Sequence, residues 1–209
     1  MAAARTQIPY RSQFASPELA GELQSGRLAY EEDPRWSDFG AGTPEEYRRW
    51  ARCGCGMACL QMILAARGDA RIAPIAELGR RAIPYGAYEA EPPAGFGPLI
   101  YAGFVAFADA EFGLRARVAA PLSLEELAAA VAGDEVVVAS VGAEIRTLAA
   151  DPARRGGHLV LVHDSRDGRL RFHDPAGDAG VNSAGVWLDL AEFERFFAGR
   201  GIAVALPRS

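Results

Sequence analysis

The chain has 209 residues, half of them hydrophobic, and its 22 basic and 27 acidic side chains leave a net charge of -5. It is therefore long enough to bury a sizeable core, and without a basic excess, a basic run or aromatic–basic interleaving it is not expected to bind nucleic acid. All the basic residues are arginine, no segment is apolar over the length a bilayer requires, and Met1–Gln7 lacks the apolar stretch of a signal peptide. A cytoplasmic protein without a membrane partner is expected, and the sequence carries no mark of an oligomeric state.

Ser16 reads as an N-cap with Pro17 at the first helical position of a short helix that Gly26 closes. Residues 27–42, rich in Glu, Asp, Pro and Gly, read as a loop. Thr43-Pro44-Glu45-Glu46 has the form of a capping box and predicts a helix of about two turns, with Tyr47 and Trp50 on one face and a break at Gly54. A second helix runs from about Gly56 to Arg67, where Gly68 stops it. Pro74 opens another, and residues 84–97 form a Pro/Gly/aromatic loop ending in Gly95-Phe96-Gly97. A longer helix is expected from Pro98 to Gly113, with Ile100, Phe104, Phe107 and Ala108 on its apolar face.

After Gly113 the pattern changes. Leu114 to Val118 alternates like a half-buried strand, Ser123-Leu124-Glu125-Glu126 is a second capping box, and Glu135 to Val141 is a β-branched run that reads as a buried strand. His158–His163 and Leu170–Asp174 flank the turn Arg166-Asp167-Gly168 as a hairpin. Asp189, with Glu192 three residues on, caps a late helix, and Gly201–Leu206 closes the chain as a strand. Helices first and mostly antiparallel strands later predict an α+β fold: one domain over 1–209, with a helical lobe over about 1–113 and a sheet lobe over about 114–209.

The chain's chemistry centres on Cys53-Gly54-Cys55-Gly56-Met57-Ala58-Cys59, a glycine bend that delivers a cysteine to the first turn of an apolar helix. A thiol there meets unpaired backbone N–H groups and the positive end of the helix dipole, surroundings that favour a thiolate nucleophile. Three cysteines within seven residues do not suggest a disulfide framework. Cys-x-Cys-x3-Cys is not a usual zinc spacing, so neither a metal nor another cofactor is expected.

A cysteine nucleophile needs a base, and only His158, His163 and His173 are available. If Arg166-Asp167-Gly168 forms a three-residue loop with Ser165 facing Arg169, then His158 faces Ala176 and Asp174 faces Val160. That places His158 and Asp174 as diagonal neighbours on one face, with His163 and His173 on the other. A two-residue Asp167-Gly168 turn instead sets His173 beside His158. The three-residue loop is preferred because it gives the histidine a carboxylate partner.

Cys55-Gly56-Met57-Ala58-Cys59-Leu60, Gly157-His158-Leu159-Val160 and His173-Asp174-Pro175, in that order, resemble motifs of the papain-like cysteine peptidases related to bacteriocin-leader-processing enzymes (peptidase family thirty-nine and its relatives). The resemblance spans about residues 50–176. It implies a papain-like fold in which the helical lobe carries the nucleophile helix and packs on the sheet, with Cys55 as nucleophile, His158 as base and Asp174 as its orienter. That family usually carries a glutamine about six residues before the cysteine, which joins the cysteine's own N–H in the oxyanion hole. Arg49 stands there instead. Ile8-Pro9-Tyr10-Arg11-Ser12-Gln13 resembles the family's lead-in to that glutamine, so Gln13 is the candidate, with 14–48 inserted behind it; Gln61 is weaker.

The activity expected is hydrolysis of an amide in an intracellular peptide or small amide through a Cys55 acyl-enzyme. The alternatives are an acyltransferase or amide-forming enzyme of secondary metabolism, and a non-catalytic peptide-binding module. Cys59 reads as core and Cys53 as part of the bend. Gly95, Phe96 and Gly157 are expected to touch substrate, as are the long segments 14–48 and 84–97.

Overall fold

Prolines and glycines punctuate the helical half of the chain much as expected. The computed structural model describes residues 7–148 and 151–206, so residues 1–6, which carry most of the segment read for a signal peptide, lie outside it. Helix α1 (Ala20–Ser25) follows a single 3-10 turn at Pro17–Leu19 and ends at Gly26 in the left-handed conformation. Helix α2 is Pro44–Cys53 and α3 is Cys55–Ala66, joined at Gly54; α4 is Ile75–Ala82 and α5 is Tyr101–Phe112. Tyr47 and Trp50 are fully buried on one face of α2, as their spacing predicts. Helix α3 is buried on nearly every side, which is why its sequence shows no polar face.

Several expectations are corrected. Helix α5 begins at Tyr101 rather than Pro98, and Ile100, 43 % exposed, is not on its apolar face. Residues 98–100 stay extended because the Ile100 N–H is taken by the Ala87 carbonyl at 2.9 Å. The loop after α4 then crosses α5 at Gly103, where a Cβ would stand 2.1 Å from the Gly86 carbonyl carbon. Ser16 caps no helix, since its hydroxyl donates to Asp33 Oδ1 at 2.6 Å. In the Thr43 box, Thr43 Oγ1 accepts from Glu46 N–H, but the Glu46 carboxylate takes the N–H of Gly42.

The Asp33 contacts explain where residues 14–48 go. Its buried carboxylate accepts from Ser16 N–H and hydroxyl, from Arg35 N–H and from the Tyr47 hydroxyl on α2, which fastens the segment onto α2. Replacing Asp33 with Ala is expected to cost about 3 kcal/mol, because charge-assisted bonds are lost and their donors stay buried. Urea unfolding measures it; a loss under about 1 kcal/mol removes the carboxylate as the anchor.

The second half builds one six-stranded sheet in which every neighbouring pair is antiparallel. Its strands are β1 (Ala116–Ala119), β2 (Glu135–Val141), β3 (His158–Arg166), β4 (Arg169–His173), β5 (Val186–Asp189) and β6 (Phe197–Ala205), in the order β1-β6-β2-β3-β4-β5. Helix α6 (Leu124–Ala132) carries the complete Ser123/Glu126 capping box. Helix α7 (Leu190–Glu194) follows Asp189, whose side chain does not cap it and pairs with Arg169 instead. Strand β5 was not anticipated; it is a short run whose first two residues are only half buried, so it shows little alternation. The strand read from Leu114 starts two residues later, at Ala116.

Val136, Val138, Leu159, Leu161, Ile202 and Val204 pack on the helical core around Met57 and Leu60. Val137, Ala139, Val160, Val162 and Ala203 pack on the other side with Leu127 and Val131 of α6 and with Phe193. Both faces are covered, so β2 reads as a continuous apolar run. The expected α+β arrangement, a helical lobe whose cysteine helix lies against an antiparallel sheet, is the one observed.

The β3–β4 hairpin corrects the expected turn. Arg166 pairs with Arg169 across a two-residue Asp167-Gly168 turn, both residues having positive φ (52° and 73°) as a type I′ turn requires. By itself that turn sets the unfavourable register. A bulge at His163 adds one residue to β3, so that Val162 pairs with Phe172 and Leu161 with His173. Beyond the bulge the pairing is the one that a three-residue loop gives.

Candidate active site

The restored register brings His158, the first residue of β3, beside Asp174, the residue after β4. His158 Nε2 lies 2.6 Å from Asp174 Oδ1, with both side chains buried. Asp174 Oδ1 also accepts from Ala176 N–H at 2.8 Å, which holds the carboxylate in place. Cys55, at the start of α3, lines the same cleft as this imidazole, and its thiol helps to raise the ring's pKa. With Nε2 engaged by Asp174, the nitrogen left for Cys55 is Nδ1.

Burial alone pushes the His158 ring towards neutrality. The Asp174 charge and its hydrogen bond, together with the Cys55 contact, outweigh that, and the imidazole stays protonated to higher pH than an ordinary histidine. For Asp174, burial opposes ionisation, but the His158 charge and hydrogen bond prevail and hold its pKa below the usual carboxyl range. The two side chains thus form a buried pair with each partner favouring the charged form of the other.

The other histidines do not compete. His173 donates from Nε2 to the Ile8 carbonyl at 2.9 Å and accepts the Gly185 N–H at Nδ1, also at 2.9 Å, so both ring nitrogens are engaged. Burial further lowers its pKa. His163 stacks on it with ring centroids 4.5 Å apart. Burial also holds the other two cysteines as thiols. The Cys53 thiol donates to the Arg49 carbonyl, and burial raises its pKa to about 12; Cys59 is fully buried and raised well above the ordinary thiol value. Among the described residues, no group of three or more His, Cys, Asp or Glu could hold a metal ion.

Gln13 is buried close by. Its Nε2 donates to the carbonyl of Ala51, one helical turn before Cys55, at 2.8 Å, and its backbone N–H donates to the carbonyl of Pro175, next to Asp174. Arg49, at the position where the glutamine was sought, instead holds the carbonyls of Glu89 and Ala90 and so fastens the 86–99 loop to α2. Gln61 donates to the Ala73 carbonyl at 2.7 Å.

A cleft of about 750 Å³ opens over Cys55 and His158, between the helical and sheet lobes. Phe96 and Gly157 line it, along with Gly97, Pro98, Leu99 and Tyr101. Gly95 does not line it, and neither does any residue of 14–48, the segment that Asp33 holds against α2. Gly56 admits the cleft floor, since a Cβ there would meet Leu99 Cδ2 at 2.6 Å and Leu159 Cδ1 at 3.3 Å. Sequence reasoning missed Arg52, Arg154, Arg155 and Arg200, which also line the cleft. They are scattered over the chain, and the adjacent Arg154-Arg155-Gly156-Gly157 was the one signal pointing to them.

The site thus sets a cysteine at a helix start in one cleft with a histidine at the start of an interior antiparallel strand, with a carboxylate behind it. Among solved structures the chain is similar to the peptidase domain of Streptococcus ComA, a bi-functional ABC transporter involved in a quorum-sensing pathway. The two share 17 % identity at a TM-score of 0.49, over 73 % of this chain and 91 % of that one. No known protein family and no curated protein matches the chain. Among the described residues, no helix is long and apolar enough to cross a membrane.

Proposed function

We propose that the protein is a cysteine peptidase or amidohydrolase that cleaves an amide in a peptide through an acyl-enzyme on Cys55. The observation that carries the proposal is the single imidazole of His158, bonded at Nε2 to Asp174 at 2.6 Å and lining one cleft with Cys55. Cys55 Sγ, its proton passed to His158, attacks the amide carbon. The protonated His158 then gives that proton to the leaving amine as the C–N bond breaks. Water attacks the thioester carbon and loses a proton to His158, the C–S bond breaks, and the acid product leaves with the thiol restored. Asp174 keeps the ring oriented and stabilises its charged form throughout. The test is intact-mass detection of a covalent adduct on Cys55 whose formation depends on His158.

The oxyanion formed at each tetrahedral stage needs donors. The backbone N–H of Cys55, in the unpaired first turn of α3, supplies one. The second is the N–H of the Gln13 amide that its bond to Ala51 leaves over. Replacing Gln13 with Ala is expected to lower kcat by about 10²–10³ with a much smaller change in KM. An unchanged kcat removes Gln13 from this role.

A further inference from the structure

The cleft over Cys55 has the opposite charge to the protein around it. The chain carries a net charge of -5, yet the cleft is lined by four arginines and no acidic side chain. Arg52 stands on the helical wall, its guanidinium 4.0 Å from the centre of the Phe96 ring. Arg154, Arg155 and Arg200 stand on the sheet wall. Among the described residues none of these four guanidinium groups has a carboxylate partner, whereas Arg35, Arg71, Arg80, Arg81 and Arg117 elsewhere all do.

Arg200 is aimed at the cleft by an irregularity of the sheet. Ala139 of β2 pairs with Gly201 of β6 and Val141 pairs with Phe197, so residues 198–200 stand opposite Ser140 alone. This bulge, with Gly199 at φ 65°, lets Arg200 leave the strand and lie over Gly156, where a Cβ would stand 2.9 Å from its Nη2. Arg154 lies over the next residue, with Nη2 3.3 Å from a Cβ built on Gly157. Two guanidinium groups therefore rest on the glycine pair that leads directly into His158. Gly156 and Gly157 have φ of 108° and 96°, a region open to glycine and strained for other residues. Arg146 adds to the positive field, with its Nε buried and without a partner among the described residues.

Guanidinium groups without carboxylates, set on two walls over an apolar floor of Leu99, Leu159 and Phe96, make a receptor for carboxylates carried on an otherwise apolar chain. We propose that the cleft selects acidic peptides, with Arg154, Arg155 and Arg200 on one wall and Arg52 on the other binding Asp or Glu side chains that flank the amide presented to Cys55. What this says of a scissile amide rests on the function proposed above; the anion preference itself does not.

The test titrates full-length Cys55→Ala protein against fluorescein-labelled peptides of Ala, Gly and Leu that carry Glu, Gln or Lys at matched positions, read by fluorescence anisotropy. The Glu peptide is expected to bind roughly tenfold tighter than its Gln copy at low salt, with the gap narrowing as salt is raised. Arg200→Gln and the double variant Arg154→Gln/Arg155→Gln are each expected to shrink that ratio several-fold, with thermal melting confirming that the variants fold. Equal binding of Glu and Gln peptides, or tighter binding of the Lys peptide, overturns the proposal. So does a short single-stranded oligonucleotide of the same charge that binds at least as tightly as the Glu peptide. Wild-type protein that cleaves Glu and Gln peptides alike overturns the acidic preference and leaves the catalytic reading standing. A Glu preference in a protein whose Cys55 takes no electrophile does the reverse.

Discussion

Iodoacetamide at neutral pH is expected to add a single group to the native protein, on Cys55. The three thiols lie within seven residues of one another, yet their surroundings divide them sharply. Cys53 is held protonated by burial, with its pKa pushed up to about 12 and its thiol bonded to a carbonyl, and Cys59 is buried completely. Cys55 shares the cleft with the His158 imidazole, whose pKa its thiol helps to raise. Since the thiolate is the reactive form, the adduct should form at least tenfold faster on Cys55 than on either neighbour. The His158→Ala variant should slow it by about 10²-fold or more. In the Cys55→Ala variant no fast adduct should form, and peptide cleavage should fall by at least about 10³-fold. Even labelling of all three thiols, or a rate indifferent to His158, overturns the assignment.

The Asp174→Asn variant is expected to lower kcat/KM by about 10²–10⁴-fold, because an amide neither holds the imidazolium nor selects the ring form that leaves Nδ1 facing Cys55. It should also change how stability depends on pH. Asp174 titrates below the usual carboxyl range, so its contribution is present above that range and is lost as pH falls through its lowered pKa. His158 titrates above 6.5, so its contribution is complete below that value and is lost as pH rises through its raised pKa. The pair therefore supports the fold most in mildly acidic solution, between the two. In the variant the carboxylate is gone and burial dominates at His158, which then favours the neutral ring; the acid-side gain should vanish. Urea unfolding across pH measures both limbs, and a variant profile that parallels the wild type's overturns the pairing.

At the β3–β4 hairpin, sequence and fold reach the same register by different routes. The adjacency of His158 and Asp174 was expected from a three-residue turn, whereas the chain makes a two-residue turn and recovers the same register through the bulge at His163. A bulge leaves almost no mark on a sequence, because it changes the pairing partner and not the residue types. Gln13 shows a different limit. Its motif was readable, but its seat beside Ala51 and Pro175 depends on how residues 14–48 are held against α2 by Asp33, a contact between distant parts of the chain. The same packing turned that segment away from the cleft, although its length suggested a substrate-facing loop.

By itself the sequence determined what short-range forces decide. Glycines in the left-handed region ended α1 and α5, Ser123 and Glu126 capped α6, the β-branched run made β2, and the bend at Gly54 placed Cys55 at a helix start. These depend on sterics and hydrogen bonds within a few residues. Only the tertiary structure decided by which turn and bulge His158 meets Asp174, that this pair shares a cleft with Cys55, and that four arginines from separate parts of the chain converge there. Burial and convergence are properties of segments brought together from far apart, and no local pattern encodes them.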